Sequence, residues 1–508
     1  MTGSAFRLGR REFLRACGAT VAAAFVCSRG AGEDRRDGVL YPRRLSGEGG
    51  KLSWYEAVLE KVPRLRHDRG GRWPLITWEG FSSEPQEPKY YQELLARGLA
   101  QHVRLDPGMI ETALAVQRAG SPVIVMEGNS GAYPASLAGD PREWAHRLDE
   151  GYQPREHLRP CPSLHLGWAK FADRLRETLR QFRERGVQID AVWTDWENDP
   201  LYGSDRYQQA QRCRRCREIL PRKVLASSDR FMEYTARKFY ELFGAYYAAP
   251  VLEFYPKCSV TNWLAQPSTP EEPQPGWSGN RGRVHLPPLV TAWNPTAYGA
   301  ASWVWKDRKP EDRRDQERVD RVYTNLLLRQ VSLAGKLGER WAPEKESIPW
   351  VCRWVSEPPE LEFPVMSRER YREVLRHLWL RGVAGMQVFS PRTKGFEDMA
   401  LPEVEDAVAA YDELLAFRRF LSDGEVLSYQ VPPELDDGVV WSGLRLGDQA
   451  VVRLFRQSAG TGRQKLRPFG DREFELEAGP EGQTYLLERS GEVRRAEGSP
   501  ASDRGGSR

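Results

Sequence analysis

The chain has 508 residues, and 75 Lys+Arg against 71 Asp+Glu give a formal charge of +4. Near balance at this length, with no long block of like charge, argues against a dedicated nucleic-acid binder, and no apolar run reaches the roughly 18 residues of a membrane span. Hydrophobic residues make up 40% and aromatics 11%, with 17 Trp, so core material is ample and disorder is excluded outside the ends.

The N-terminus reads Gly9-Arg10-Arg11-Glu12-Phe13-Leu14-Arg15, followed by the mostly small and apolar stretch Ala16 to Cys27. A basic region before a short apolar one resembles a twin-arginine export signal. The resemblance implies export in folded form by the twin-arginine machinery, to a periplasmic or extracellular location. Residues 1–31 are therefore set aside as a signal peptide. Beyond it lie Cys161, Cys213, Cys216, Cys258 and Cys352. An odd count outside the cytoplasm leaves at least one thiol free or paired between chains. Cys213-Arg-Arg-Cys216 has no two further ligands at metal spacing nearby, so it reads as a disulfide or two free thiols.

From about Gly50 short apolar runs alternate with longer amphipathic ones. Candidate strands are Trp73–Trp78, Gln101–Leu105, Pro122–Glu127, Gln188–Thr194, Pro250–Tyr255, Pro288–Trp293, Pro349–Val355 and Val383–Phe389. Candidate helices are Lys89–Leu99, Pro107–Ala119, Leu166–Arg185, Ser228–Ala248, Glu311–Ala334, Arg368–Arg381 and Pro402–Phe420. Most of these strands are separated by a helix, which makes parallel neighbours, and eight such units predict a (β/α)8 TIM-like barrel over residues 50–421. The proline-rich Gln266–Pro288 reads as an insertion. After Phe420 the pattern turns β-rich with Gly and Asp turns, which predicts a small C-terminal antiparallel β domain over 422–495. Residues 496–508 read as a disordered tail.

Barrel enzymes carry their chemistry at the C-terminal ends of strands. The sharpest segment there is Val192-Trp193-Thr194-Asp195-Trp196-Glu197. Side chains two apart on a strand face the same way, so Trp193, Asp195 and Glu197 are expected to project together. Two adjacent carboxylates disfavour double ionisation, which raises one pKa and makes a general acid. Glu357, after the seventh strand, is the alternative nucleophile of a double displacement in which Glu197 serves as acid/base. Trp78, Glu127, Trp193, Tyr255, Trp293, Asn294 and Gln387 fall at or near strand ends and are the candidate substrate-binding residues. The tryptophans offer flat faces for a pyranose ring. No His-x-x-Glu-His spacing, nucleophile elbow or phosphate loop occurs, so neither a metal nor another cofactor is expected.

Val192-Trp193-Thr194-Asp195-Trp196-Glu197 resembles the Asp-Trp-Glu signature of hyaluronidases and chitinases, with Trp193 where chitinases have a further Asp. Phe231-Met232-Glu233-Tyr234-Thr235, Phe254-Tyr255-Pro256-Lys257-Cys258 and Gly382-Val383-Ala384-Gly385-Met386-Gln387-Val388-Phe389 resemble, in order, other hyaluronidase segments. The resemblance implies a distant glycoside hydrolase relative that cleaves an N-acetylhexosamine-containing glycan by substrate-assisted retaining catalysis. Glu197 would be the general acid, and Asp195 would orient the acetamido group. Ser259 and Phe389-Ser390 stand where the family has a Tyr and a Trp near the sugar. A non-catalytic carbohydrate-binding barrel is the other reading these departures leave open.

Overall fold

The computed structural model describes residues 33–36, 38–42, 54–78, 87–127, 166–194, 204–262, 290–299, 302–305, 308–355, 360–389, 396–434 and 436–496. Eight parallel strands form the centre. They are β1 (Leu75–Thr77), β2 (Leu99–Arg104), β3 (Ile124–Glu127), β4 (Ala191–Thr194) and β5 (Ser259–Asn262). Then come β6 (Ala292–Trp293 continued by Thr296–Tyr298), β7 (Glu346–Ser347 continued by Trp350–Cys352) and β8 (Gln387–Val388). Parallel ladders run from β1 through β5 and from β6 through β7 and β8 back to β1. The Thr291 N–H donates to the Val260 carbonyl at 2.8 Å and joins β5 to the β6 segment. The ring of eight is thus closed, and a closed sheet has no edge to protect.

The ladder is notched at two prolines. Pro295 lies inside β6, and Pro349 separates the halves of β7. Neither has an N–H to donate, but their carbonyls still accept, from Trp350 N and Gln387 N at 2.9 Å each.

Helices link the strands: α1 (Trp54–Lys61) precedes β1, and α2 (Pro88–Ala96), α3 (Ile110–Arg118) and α4 (Leu166–Glu184) follow β1, β2 and β3. After β4 comes α5 (Ser228–Phe243), after β6 α6 (Gln316–Trp341), after β7 α7 (Arg368–Trp379) and after β8 α8 (Glu397–Leu415). Asp315 caps α6 by accepting from Glu317 N, and Ser367 caps α7 by accepting from Arg370 N. The outward strand residues Val125, Val192, Val260, Trp293, Ala297, Val351 and Val388 form one buried cluster with the helices' apolar faces. The inward residues form a second cluster inside the ring.

The fifth strand is not where the sequence puts it. Pro250–Tyr255 falls mostly in a helix, Ala249–Phe254, that continues α5 through a π-turn, Gly244–Ala248. The wider turn makes room for the Pro250 ring, which would otherwise clash with a carbonyl one turn back. The strand itself starts after the Pro256-Lys257-Cys258 turn. An antiparallel hairpin, Glu33–Arg36 with Val39–Pro42, was also missed. It docks on the barrel through Val365 N to Leu40 O and Leu40 N to Gln316 Oε1.

A C-terminal antiparallel sheet follows. Its strands are β9 (Glu425–Val426), β10 (Val439–Leu446), β11 (Gln449–Arg456), β14 (Gln483–Glu488) and β15 (Val493–Arg495), in that spatial order, with a hairpin of β12 (Gly462–Leu466) and β13 (Phe474–Ala478). It encloses its own core around Val452, Leu454, Phe474 and Leu487. Among the described residues no helix is long and apolar enough to cross a membrane.

Candidate functional site

Strand register decides what shares a level inside the ring. In an eight-stranded barrel of shear about 8 the register climbs one residue per strand, so each layer draws on alternate strands. The pairings give a narrow lowest layer of Ala100, Ala191, Ala292 and Gly385. A Cβ on Gly385 would lie 3.0 Å from Trp73, whose side chain fills this end. Above it lie Ile76, Ile124, Thr261 and Ile348, which is ordinary aliphatic packing apart from the threonine.

The third layer is different. His102, Trp193, Asn294 and Gln387, from β2, β4, β6 and β8, meet there, all at most 2% exposed. The His102 and Trp193 rings lie edge to face with centroids 6.0 Å apart. Asn294 has a partner at each end of its amide: Nδ2 donates to the Ile348 carbonyl at 2.8 Å, and its Oδ1 accepts from the Thr261 hydroxyl. His102 and Gln387 differ. No partner satisfies either ring nitrogen of His102, Oε1 or Nε2 of Gln387, or Nε1 of Trp193. Gln387 approaches His102 and offsets part of its burial, but no hydrogen bond of ordinary geometry joins them. Burial draws the His102 pKa down to about 3, so the ring is neutral near pH 7.

Aromatic rings lie over this layer. Trp78 touches Trp350 (5.2 Å), His102 (5.9 Å) and Phe389 (5.9 Å), and Phe389 stacks on Tyr298 at 5.1 Å. Trp350 is buried, whereas Trp78 and Phe389 are half-buried. The alternation of β2 puts Arg104, which is exposed, above His102 on the same face. The strand ends therefore carry an aromatic collar over a neutral polar floor. Flat rings suit the apolar face of a sugar, and neutral amide and imidazole groups both give and accept hydrogen bonds.

The structure gathers Trp78, Trp193, Asn294 and Gln387 at this place. It separates three others. Trp293 faces outward, where its indole meets Gly338 of α6. Glu127 alternates with the inward Met126 and so lies on the helix side, where its Oε2 accepts from the Thr194 hydroxyl at 3.3 Å. Tyr255 precedes β5 and sits at the opposite end of the barrel, where its buried hydroxyl donates to the Val187 carbonyl at 3.2 Å. These three placements correct the expectation that they face a sugar. The physical reason is strand parity for the first two and the helical extension of α5 for the third. Asp195, Glu197 and Glu357 lie outside the described residues.

Sequence reasoning missed His102, Trp350 and Tyr298. The usable signal was the alternation Ala100-x-His102-x-Arg104, in which a polar residue occupies an inward position. Cys213, Cys216, Cys258 and Cys352 are buried, and Cys161 lies outside the described residues. Among the described residues no three potential metal ligands cluster. Two surface clefts lie elsewhere, one beside Arg66 and Phe417 and one beside Arg445 and Phe469.

No protein-family model matches the sequence, and no curated protein matches it. Among solved structures, a debranching enzyme from Nostoc punctiforme is similar with a TM-score of 0.45 at 8% identity, over 84% of this chain and 100% of that one. A GH30 endoxylanase from Clostridium papyrosolvens gives 0.40 at 9%, over 85% and 98%. A putative α-N-acetylgalactosaminidase from Bacillus halodurans gives 0.41 at 10%, over 84% and 99%. The barrel assignment rests on the strand order, register and closure given above.

Proposed function

We propose that the protein is an exported glycoside hydrolase that cleaves an N-acetylhexosamine-containing glycan. The observation that carries the reading is Trp193, which points into the ring from β4 and stands two positions before Asp195 and four before Glu197 in the sequence. In the sequence both acids share the parity of Trp193, whose ring lies beside His102, under the collar of Trp78 and Phe389. The motif resemblance and the strand-4 position agree with this.

In the proposed reaction the substrate's acetamido oxygen attacks the anomeric carbon as the bond to the leaving oxygen breaks. Glu197 gives its proton to that oxygen. Asp195 accepts a hydrogen bond from the acetamido N–H and stabilises the positive charge of the oxazolinium-like intermediate. Water then attacks the anomeric carbon and gives its proton to the Glu197 carboxylate, and the acetamido group is restored with configuration retained. The twin-arginine-like N-terminus supports a periplasmic or extracellular site of action.

Glu197→Gln keeps the shape and removes the proton. It is expected to lower kcat on an N-acetylglucosamine oligosaccharide by about 10²–10⁴-fold with an unchanged melting temperature. Undiminished turnover would remove the proposal. Saturable glycan binding by the wild type without product at any pH would favour a binding barrel instead.

A further inference from the structure

Inside the ring, the His102–Gln387 pair is the feature that packing does not explain. Inward positions in such barrels are dominated by branched aliphatic residues, and buried polar atoms normally have partners. Here two side chains from strands far apart in sequence bring four polar atoms to one level, and none makes a hydrogen bond of ordinary geometry, although Gln387 approaches His102. The indole N–H groups of Trp193 and Trp350, in the same and the next layer, are equally without acceptors. Asn294 is the internal control, because its layer can satisfy a polar side chain and does so there. Each unpaired buried group is a cost to the fold. They converge from separate strands under a half-exposed ring, Trp78, which lies against His102.

We infer that His102 and Gln387 form the floor of a sugar subsite, and that they hydrogen-bond a neutral exocyclic group, a hydroxyl or an acetamide, of a ring held by Trp78 and Phe389. Such a group both gives and takes hydrogen bonds, as a neutral imidazole and a carboxamide do. Trp78 lies over the floor, so binding has to displace its ring. This inference rests on the carbohydrate reading above, but not on its chemistry.

The test measures calorimetric binding of chitotetraose and cellotetraose to the Glu197→Gln protein, alone and with His102→Phe or Gln387→Leu added. Both changes keep the volume roughly and remove the polar atoms. Affinity for chitotetraose is expected to fall about 10-fold or more in each. The melting temperature of the unliganded protein is expected to hold or rise, because removing unsatisfied buried groups is neutral or stabilising. Preference for chitotetraose that disappears in the variants assigns the acetamide, and equal loss for both sugars assigns a hydroxyl.

Unchanged affinity in both variants would overturn the inference. So would a fall of more than about 5 °C in both, which marks an ordinary structural role. Should neither fold, the 15N shifts of His102 in the folded Glu197→Gln protein decide: movement on saturation with chitotetraose supports the subsite, and no movement overturns it. The two proposals fail separately. Binding that weakens in both variants, with no product from the wild type, leaves the subsite and sinks the hydrolase. Normal Glu197-dependent turnover with undiminished affinity does the reverse.

Discussion

Glu403, on α8, shows how far burial can move a single carboxyl. Its Oε1 accepts from the Arg353 N–H at 2.7 Å and from the Tyr371 hydroxyl at 3.2 Å. Burial pushes its pKa up to about 8, with the Arg353 charge acting against the rise. A raised folded pKa means that the folded chain keeps a proton which the unfolded chain releases above about pH 4.3. The contribution is therefore fully present below that pH and is lost as pH climbs through 8. Glu403→Gln mimics the protonated form, so its stability relative to wild type should rise from pH 5 to pH 9, by about 1–3 kcal/mol. Thermal unfolding at the two pH values measures this, and a gap that stays constant would refute it. Residue types at strand ends were legible in the sequence: Trp78, Asn294 and Gln387 do reach the ring. The direction of Trp293 and Glu127 was not, because a shift of one position in a strand reverses the face.

At the scale of elements, α7 is fastened to the C-terminal sheet by a buried ionic knot. Arg453 of β11 donates to Glu373 through Nε at 2.7 Å and Nη2 at 2.6 Å, and Arg376 Nη1 adds a third bond at 2.9 Å. Arg376 also grips Glu413 of α8 at 2.7 and 2.9 Å. His377 meets Ser442 of β10 at 2.9 Å. Glu373→Ala would leave Arg453 buried without its carboxylate and is expected to cost about 3–5 kcal/mol in urea unfolding. Glu177→Ala, which loses an exposed pair with Arg180, is expected to leave the urea midpoint almost unmoved. A similar cost for both would mean that the knot is no stronger than a surface pair. Helix periodicity made α4 and α7 readable to within a residue or two at each end. The α5 extension was not readable, since Pro250 looks like a break until a π-turn absorbs it.

For the whole molecule, closure and docking determine cooperativity. The ring closes where Thr291 meets Val260, and the C-terminal sheet covers one flank of α7. Truncation after Asp423 would expose the apolar underside of α7 and strip Glu373 of Arg453. The shortened chain is expected to unfold at lower temperature than the full protein, or to aggregate on expression. In the full protein, circular dichroism and tryptophan fluorescence should report one coincident urea transition. A stable truncated barrel with an unchanged melting temperature would show the two parts to be independent.

Local patterning by itself determined the alternation of strands and helices and the change to antiparallel β structure after Phe420. These follow from hydrophobic period and turn chemistry, which act over a few residues. Only the tertiary structure decided that His102, Trp193, Asn294 and Gln387 share a layer, that Trp78 covers it, and that Tyr255 belongs to the far end. Those facts depend on register between strands far apart in the chain, and register is set when the ring closes.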